Sequence, residues 1–504
     1  MFDKWMFCCF FDDKLILNND MEEFVGMLND VIWSNGLIIL CLGTGLYFSI
    51  RTRFLQIRYI KEMWRLLFDG ESTDSGVSSF QALAMSLAGR VGTGNIAGVA
   101  TAIAFGGPGA MFWMWTVAFL GASTAYVEAT LAQIYKEKHL GEFRGGPAFY
   151  IERGLGVKWF AILFAVVSVV SAGVFLPGVQ ANSVAEGINN AFNLDTWISG
   201  LGMVIMFGAI VFGGVKRIAK FTEYVVPFMA IGYIILALII IAVNFDQLAG
   251  VIALVFKSAF NMEAGFGAVF GLAIQWGVKR GIYSNEAGQG TAPHIAAAAN
   301  VSHPVKQGLV QSFSVYIDTL FVCSATGFMI LITGMYNVQN PGFGTNGASE
   351  FLYHGLNNVA VGPAYTQNAM DTVFPGFGSY FVAIALFFFA FTTIIAYYYI
   401  AETNISYLTR KMESPVFYYV LKVVMMLIIM YGALNQATLA WAIGDIGVGL
   451  MAWFNIVAII LLQKPALKAL LDYEKQKKAG KNPVFIPEEI GVTNAHIWNT
   501  LSKK

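Results

Sequence analysis

The sequence predicts an all-α, polytopic membrane protein of about eleven transmembrane helices, arranged as a five-plus-five inverted repeat with two discontinuous helices. Three observations carry that prediction. Hydrophobic residues make up 57% of the 504-residue chain and charged residues only 12%, about half the charged share of an ordinary soluble domain. Apolar runs of roughly 20 residues, enough to cross a hydrocarbon core of about 30 Å, recur along the chain. Two of those runs are interrupted near their middles by glycine and polar residues.

In order, the apolar runs cover about 32–50, 80–105, 111–136, 157–182, 194–213, 222–243, 266–299, 308–335, 376–409, 415–433 and 437–463. Residues 1–31 read as an extracellular N-terminal tail. Its opening, "MFDKWMFCCFFDDKLILNND", lacks the three-part signal-peptide pattern because acidic residues follow a short apolar run. Met21 is a second candidate start. Residues 32–79 hold an extra first span with its basic connection, 80–243 a first five-helix repeat, 266–463 a second, and 464–504 a cytoplasmic tail. Formal net charge is zero, with no basic patch for nucleic acid. Cys8, Cys9, Cys41 and Cys323 show no paired spacing for zinc or a disulfide framework. No cofactor and no required protein partner is expected.

The connections alternate in basic content. "RTRFLQIRYIKEMWR" after the first run carries Arg51, Arg53, Arg58, Lys61 and Arg65, and the connection after the third carries Lys136, Lys138, Arg144 and Arg153. Later connections of the same parity hold Lys216, Arg217 and Lys220, then Lys306, then Arg410 and Lys411, and the tail adds more lysines. Segments 336–375 and 183–195 contain no Lys or Arg. The positive-inside rule then places the N-terminus outside and the C-terminus in the cytosol of a plasma-membrane protein.

In "SLAGRVGTGNIAGVATAIAFGGPGAMFWMW" (86–115), seven glycines fall in the 21 positions from Gly89 to Gly109. The apolar halves 80–88 and 96–105 each reach about 14 Å at the helical rise, so the interruption at 89–95 lies near the bilayer midplane. Unwound backbone is tolerated there only where protein or a hydrated cavity receives its polar groups. The seventh run, 266–299, repeats the pattern in "FGLAIQWGVKRGIYSNEAGQGTAPHIAAAA" (270–299), with Lys279, Arg280, Ser284, Asn285, Glu286 and Gln289 at its centre. With the first run set aside, each broken span opens a group of five. That is the pattern of an inverted repeat whose discontinuous helices meet at a central binding site. Half-helix N-termini offer amides to an anion and half-helix C-termini offer carbonyls to a cation.

"GGPGAMFWMWTVAFLG" (106–121) closely resembles the signature of the alanine/glycine:cation symporter family, the sodium:alanine symporters. "GTGNIAGVATAI" (92–103) and "NEAGQGTAPHIAAAA" (285–299) are similar to that family too. The resemblance spans most of 75–460. It implies a leucine-transporter-like fold and sodium-driven uptake of alanine or glycine. "AGRVGTGN" (88–95) and "LFFFAFTTIIA" (386–396) also resemble the first and eighth core helices of sodium-coupled neurotransmitter-type transporters. For sodium, that resemblance implies the Thr392 and Thr393 hydroxyls with carbonyls around Gly89, Val91 and Ala390. The other reading of the threonines is back-bonding inside a buried helix.

The substrate carboxylate is expected on the Thr93 and Gly94 amides, with Asn95 close by. Gln275, Trp276 and Gly277 are expected to hold the amino group and side chain, with Gln180 and Asn182 as further amides. Arg90, Glu128, Glu286 and Asp318 are costly intramembrane charges with a coupling or structural role. Asp318-Thr319 is a candidate for a cation site, and Glu128 a candidate brace paired with an arginine. Three other functions compete. A channel also uses glycine-lined breaks; the same scaffold could run on protons; and a membrane enzyme is disfavoured, because no H-E-x-x-H occurs and there are five histidines in all.

Overall fold

The computed structural model describes residues 22–501 apart from 70–72, 74, 140, 263, 344–348, 413 and 436. The expectations for residues 1–20 and the alternative start at Met21 lie outside the described residues, as do Cys8 and Cys9. Each of the eleven apolar runs is helical. In chain order they are α1 (Glu22–Arg51), the pair α2 (Ser79–Arg90) and α3 (Ala97–Gly106), α4 (Ala110–Ile134), α5 (Lys158–Phe192), α6 (Thr196–Val211) and α7 (Gly214–Val243). After α8 (Phe245–Ala259) come the pair α9 (Phe270–Asn285) and α10 (Ala292–Ala298), then α11 (Pro304–Thr333), α12 (Gly378–Thr409), α13 (Val416–Leu434) and α14 (Ala437–Lys478).

Local chemistry sets the boundaries. α2 starts on a capping box, in which the Gln81 amide donates to Ser78 Oγ and the Ser78 amide to Gln81 Oε1, both at 3.1 Å. α3 stops at Gly107, whose φ of 69° no side chain adopts easily. α11 opens on Pro304, whose missing amide costs nothing in the first turn.

The helices pack by closeness of small residues. A Cβ added to Gly277 or Gly281 of α9 would lie 2.6 Å from the Ala110 carbonyl or 2.4 Å from Val117 on α4. Backbones that close are the usual glue of helices in lipid. α4 carries α9, α10 and α11 on its flanks, while α5 packs on α12 and α13. Large apolar side chains such as Ile39, Phe228, Leu238, Leu427 and Leu461 point outward, as a lipid-facing surface requires.

Several boundaries differ from the expected ones. Residues 22–31 belong to α1 rather than to a tail. Asn29 Nδ2 donates to the Ala442 carbonyl at 2.7 Å and Trp33 Nε1 to the Asp445 carbonyl at 2.9 Å, clasping the first helix to the last. α14 continues to Lys478 because Ala469, Leu470 and Tyr473 find buried seats beyond the hydrocarbon-length stretch. α8 was not anticipated. The 336–375 segment contains a two-stranded hairpin (Asn337–Gln339 with Phe351–His354) and a helix at Pro363–Asp371.

The basic connections gather at one end, here the basic end. Lys306 Nζ meets Asp69 at 2.8 Å, Arg410 meets Glu152 at 2.6 Å, and Asn494 donates to the Arg153 carbonyl at 3.0 Å. Residues 479–501 fold back over this end, with Trp498 buried and its Nε1 donating to the Gln133 carbonyl at 3.0 Å.

Candidate substrate and cation site

Both expected breaks are present, and they face each other. Between α2 and α3 the chain makes one 3-10 turn, Thr93–Asn95. The Gly92 amide donates to Asn95 Oδ1 at 2.8 Å, and the Thr93 amide to Gln180 Oε1 at 3.1 Å. A Cβ on Gly92 would lie 2.5 Å from Thr393 Oγ1, and one on Gly94 would lie 3.2 Å from the Tyr283 ring. The hydroxyls of Thr93 and Tyr283 are buried and face each other and Gln180.

Thr393 brings α12 to the first break. Its Oγ1 lies 2.7 Å from the Ala88 carbonyl, 2.9 Å from that of Phe389 and 3.5 Å from that of Val91. A hydroxyl has one proton, so three acceptors share one donor. Thr393 and Val91 thus meet as expected, while the carbonyls beside them are those of Ala88 and Phe389, one residue before Gly89 and Ala390. Thr392 Oγ1 bonds back to Phe389 O at 3.0 Å.

A second polar knot joins both breaks. Asp318 accepts from Asn95 Nδ2 (2.6 Å), Thr319 Oγ1 (2.7 Å) and Ser284 Oγ (2.9 Å). Cys323 Sγ meets the same partners, Asn95 at 3.3 Å and Ser284 at 3.1 Å. Residues five apart would point roughly 140° away from each other on an α-helix. Here Tyr316–Cys323 is a π-helical stretch, whose i to i+5 repeat aligns them. Sequence reasoning found Asp318 and missed Cys323, because the change of helical period leaves no pattern in composition.

The second break falls later than expected. α9 stays helical through the polar run 279–285, and the chain unwinds at 286–291, with φ of 56° at Glu286, 83° at Gly288 and 85° at Gly290. Glu128 holds this break, accepting from the Gly288 amide at 3.2 Å and from Asn455 Nδ2 at 2.7 Å. Its partners are an amide and an asparagine where an arginine was expected. Arg90 Nη1 donates to Gln311 O at 3.1 Å and also to Ser314 Oγ.

The helical polar run explains where Gln275, Trp276 and Gly277 lie. They sit two to three turns before the break. Gly277 faces α4, Trp276 stacks on Phe105 with ring centres 4.8 Å apart, and Gln275 is half-buried beside them. Asn182 donates to the Asn435 carbonyl at 2.6 Å, joining α5 to the α13–α14 connection. The residues that sequence reasoning missed are closer. Asp445 of α14 pairs with Lys279 at 2.8 Å and bidentately with Arg280 at 2.8 and 2.9 Å. The Arg280 guanidinium lies 4.6 Å from the Trp441 ring centre, and Trp441 lies 5.1 Å from Tyr283. These groups cover the breaks on the side away from the basic end. At the basic end, a cavity of about 650 Å³ opens between the start of α2, the end of α10 and α7, lined by Gln81, Glu142, Lys216, Lys220, Glu223 and Tyr399.

A family model described as the sodium:alanine symporter family matches residues 18–487. YrbD of Bacillus subtilis (strain 168), provisionally named a sodium/proton-dependent alanine carrier, is 61% identical over 95% of this chain and 98% of its own. The sodium/proton-dependent alanine carrier protein of Bacillus sp. (strain PS3) is 50% identical over 88% and 98%. The sodium/alanine symporter AgcS of Methanococcus maripaludis is 38% identical over 88% and 95%. Among solved structures, a manganese transporter of Eremococcus coleocola has the same fold at a TM-score of 0.51 and 12% identity, over 88% of this chain and 92% of that one.

Proposed function

The chain belongs to the sodium:alanine symporter family, and we propose from that premise that it imports alanine or glycine with sodium by alternating access. It is a multi-pass transporter of the leucine-transporter-like kind and not an enzyme. The observation that carries the sodium reading is the Thr393 hydroxyl facing the carbonyls of Ala88, Val91 and Phe389. One proton cannot serve three acceptors. A hard cation that seeks oxygen ligands satisfies all of them and ties α12 to the end of α2. Asp318 with Thr319 and Asn95 forms a second oxygen-rich cluster through which a cation would join both breaks.

The substrate carboxylate would take the Thr93 and Gly94 amides, displacing Gln180 Oε1, which holds the acceptor position on the Thr93 amide. The Thr93 and Tyr283 hydroxyls, which face each other and Gln180, lie beside it. Tyr283 and Trp441, ring centres 5.1 Å apart, would face the substrate's side chain in place of Trp276. The basic end is the cytoplasmic one by the positive-inside rule. The cavity there is then the inner vestibule, and the Asp445 cluster the closed outer side.

Proteoliposomes test the proposal. Radiolabelled alanine uptake should follow an imposed sodium gradient, saturate, keep a fixed sodium-to-alanine ratio and persist with a protonophore present. Lithium or proton gradients alone should give far less. Non-saturating flux without a fixed ratio would mean a channel and would refute the symport reading.

A further inference from the structure

α1 ends at Arg51, and the chain then turns sharply. Arg53 and Phe54 both take positive φ, 56° and 53°, a region that side chains rarely adopt. Arg58 holds the turn, with Nε donating to the Arg53 carbonyl at 2.7 Å and Nη2 to that of Thr52 at 2.9 Å. Beyond it Leu55–Arg58 and Ile60–Leu66 are helical, and the Met63 amide carries the repeat across Tyr59 by donating to its carbonyl at 2.7 Å.

This segment has three faces. At about 100° per residue, Leu55, Met63 and Leu66 share one side and are fully buried. Ile57, Ile60, Trp64 and Phe68 share a second, yet they are 56%, 47%, 59% and 69% exposed. Between the two run the exposed cations Arg58, Lys61 and Arg65. The depth of the apolar stripe follows from its neighbours. The Trp64 ring centre lies 6.0 Å from that of Phe313, inside the apolar run 308–335 of α11. Phe68 stacks at 5.9 Å on Phe80, where the run 80–105 begins. The stripe therefore sits where these helices enter the hydrocarbon, the depth at which amphipathic helices lie in a bilayer.

Charge says which lipid covers it. Arg51, Arg53, Arg58, Lys61, Arg65 and Lys477 crowd this place and meet two carboxylates. Glu474 pairs with Arg53 and, at 3.0 Å, with Arg58; Glu62 pairs with Arg65 at 2.6 Å and Lys477 at 3.1 Å. The nearby Asp69 is taken by Lys306. Among the described residues, the exposed Arg51 and Lys61 face no carboxylate, and Arg51 leans on the Tyr47 ring. An excess of cations beside an apolar stripe at the end of a membrane span fits lipids with negative headgroups, whose chains answer the stripe and whose phosphates answer the charge. A zwitterionic lipid answers the stripe and leaves the cations unmatched. We propose that residues 54–68, with Arg51, form a docking face for anionic phospholipid in the leaflet at the basic end. The assignment is independent of the transported solute.

Two measurements on the purified full-length protein test it. In native mass spectrometry from detergent, phosphatidylglycerol should stay bound at far lower lipid concentration than phosphatidylcholine. Arg51→Gln together with Lys61→Gln should reduce that preference about fivefold for each charge removed, and neither change leaves a carboxylate unpaired. No preference in the native protein, or the same preference in the folded double variant, would overturn the proposal. The second measurement needs no charge variant. In bilayers of phosphatidylglycerol and phosphatidylcholine, the fluorescence that Trp64→Phe removes should be quenched by lipids brominated on their acyl chains, with little effect of aqueous acrylamide. Quenching by acrylamide and not by the lipids would put the stripe in water, open to a soluble protein. Protection from both quenchers would mean that a second copy of the chain covers it. Either result would overturn the lipid assignment.

Discussion

Thr393 is the residue on which sodium coupling turns, and its removal tests the coupling directly. Thr393→Ala deletes one oxygen and leaves the Ala88, Val91 and Phe389 carbonyls in place. A lost interaction of about 1–2 kcal/mol should raise the sodium concentration for half-maximal alanine uptake about tenfold, with little change in thermal stability. Unchanged sodium dependence would remove Thr393 from the site. Asn95 does more, because it secures the Gly92 amide through Oδ1 and Asp318 through Nδ2. Asn95→Ala should abolish alanine binding in a scintillation-proximity assay, and retained affinity would move the substrate elsewhere. At this scale the sequence was legible where a residue type is scarce in lipid, as for Asn95 and Asp318, whereas the Thr pair was singled out only by its resemblance to another transporter helix. The carbonyl partners were not legible, because any residue has a carbonyl, and the turn that aims it shifts by one position with helix phase.

The polar run of α9 shows why breaks are harder to place than to detect. Lys279 to Asn285 looks like unwound chain, yet it is helical because its charges are answered by Asp445, far away in sequence on α14. Asp445→Asn leaves two buried cations unanswered, a loss of about 3–5 kcal/mol for a broken buried pair. The melting temperature in detergent should fall markedly, and adding Lys279→Gln should recover part of the loss. An unchanged melting curve for Asp445→Asn would show that the cluster does not brace α9 to α14.

α11 carries its own pH dependence at its start. His303 Nδ1 accepts from the Val305 amide and Nε2 faces Asp472, both at 3.2 Å, which assigns the proton to Nε2 and keeps the ring neutral. Burial outweighs the pull of Asp472 and holds this imidazole below its ordinary 6.5. The unfolded chain therefore binds the extra proton first. The stabilisation is complete above pH 6.5 and declines as pH falls below it, by up to about 1.4 kcal/mol per unit. Melting curves of the native protein and His303→Gln should converge between pH 7.5 and roughly pH 5. Parallel curves would exclude the cap as the source.

At the scale of the molecule, hydropathy and loop charge were enough to count the spans and to sort the connections by end. Composition is blind to what happens after a chain leaves the membrane, so the fold-back of residues 479–501 was invisible to it. There Trp498 sits edge-on to Phe485, ring centres 5.1 Å apart, over Lys136. Trp498→Ala removes a buried ring, a loss of about 3–5 kcal/mol where packing cannot relax. Trypsin should then cut the 475–481 lysines much faster, and equal cleavage rates would mean that the segment is held by other contacts.

The clasp between α1 and α14 also sets a schedule for biogenesis. The seats for Asn29 and Trp33 are made about four hundred residues later in the chain. At translation speeds of about 5–20 residues per second, the leading helix waits some tens of seconds in the bilayer before its partner is synthesised. Until then the start of that helix lacks these two α14 contacts, which come only with the final span.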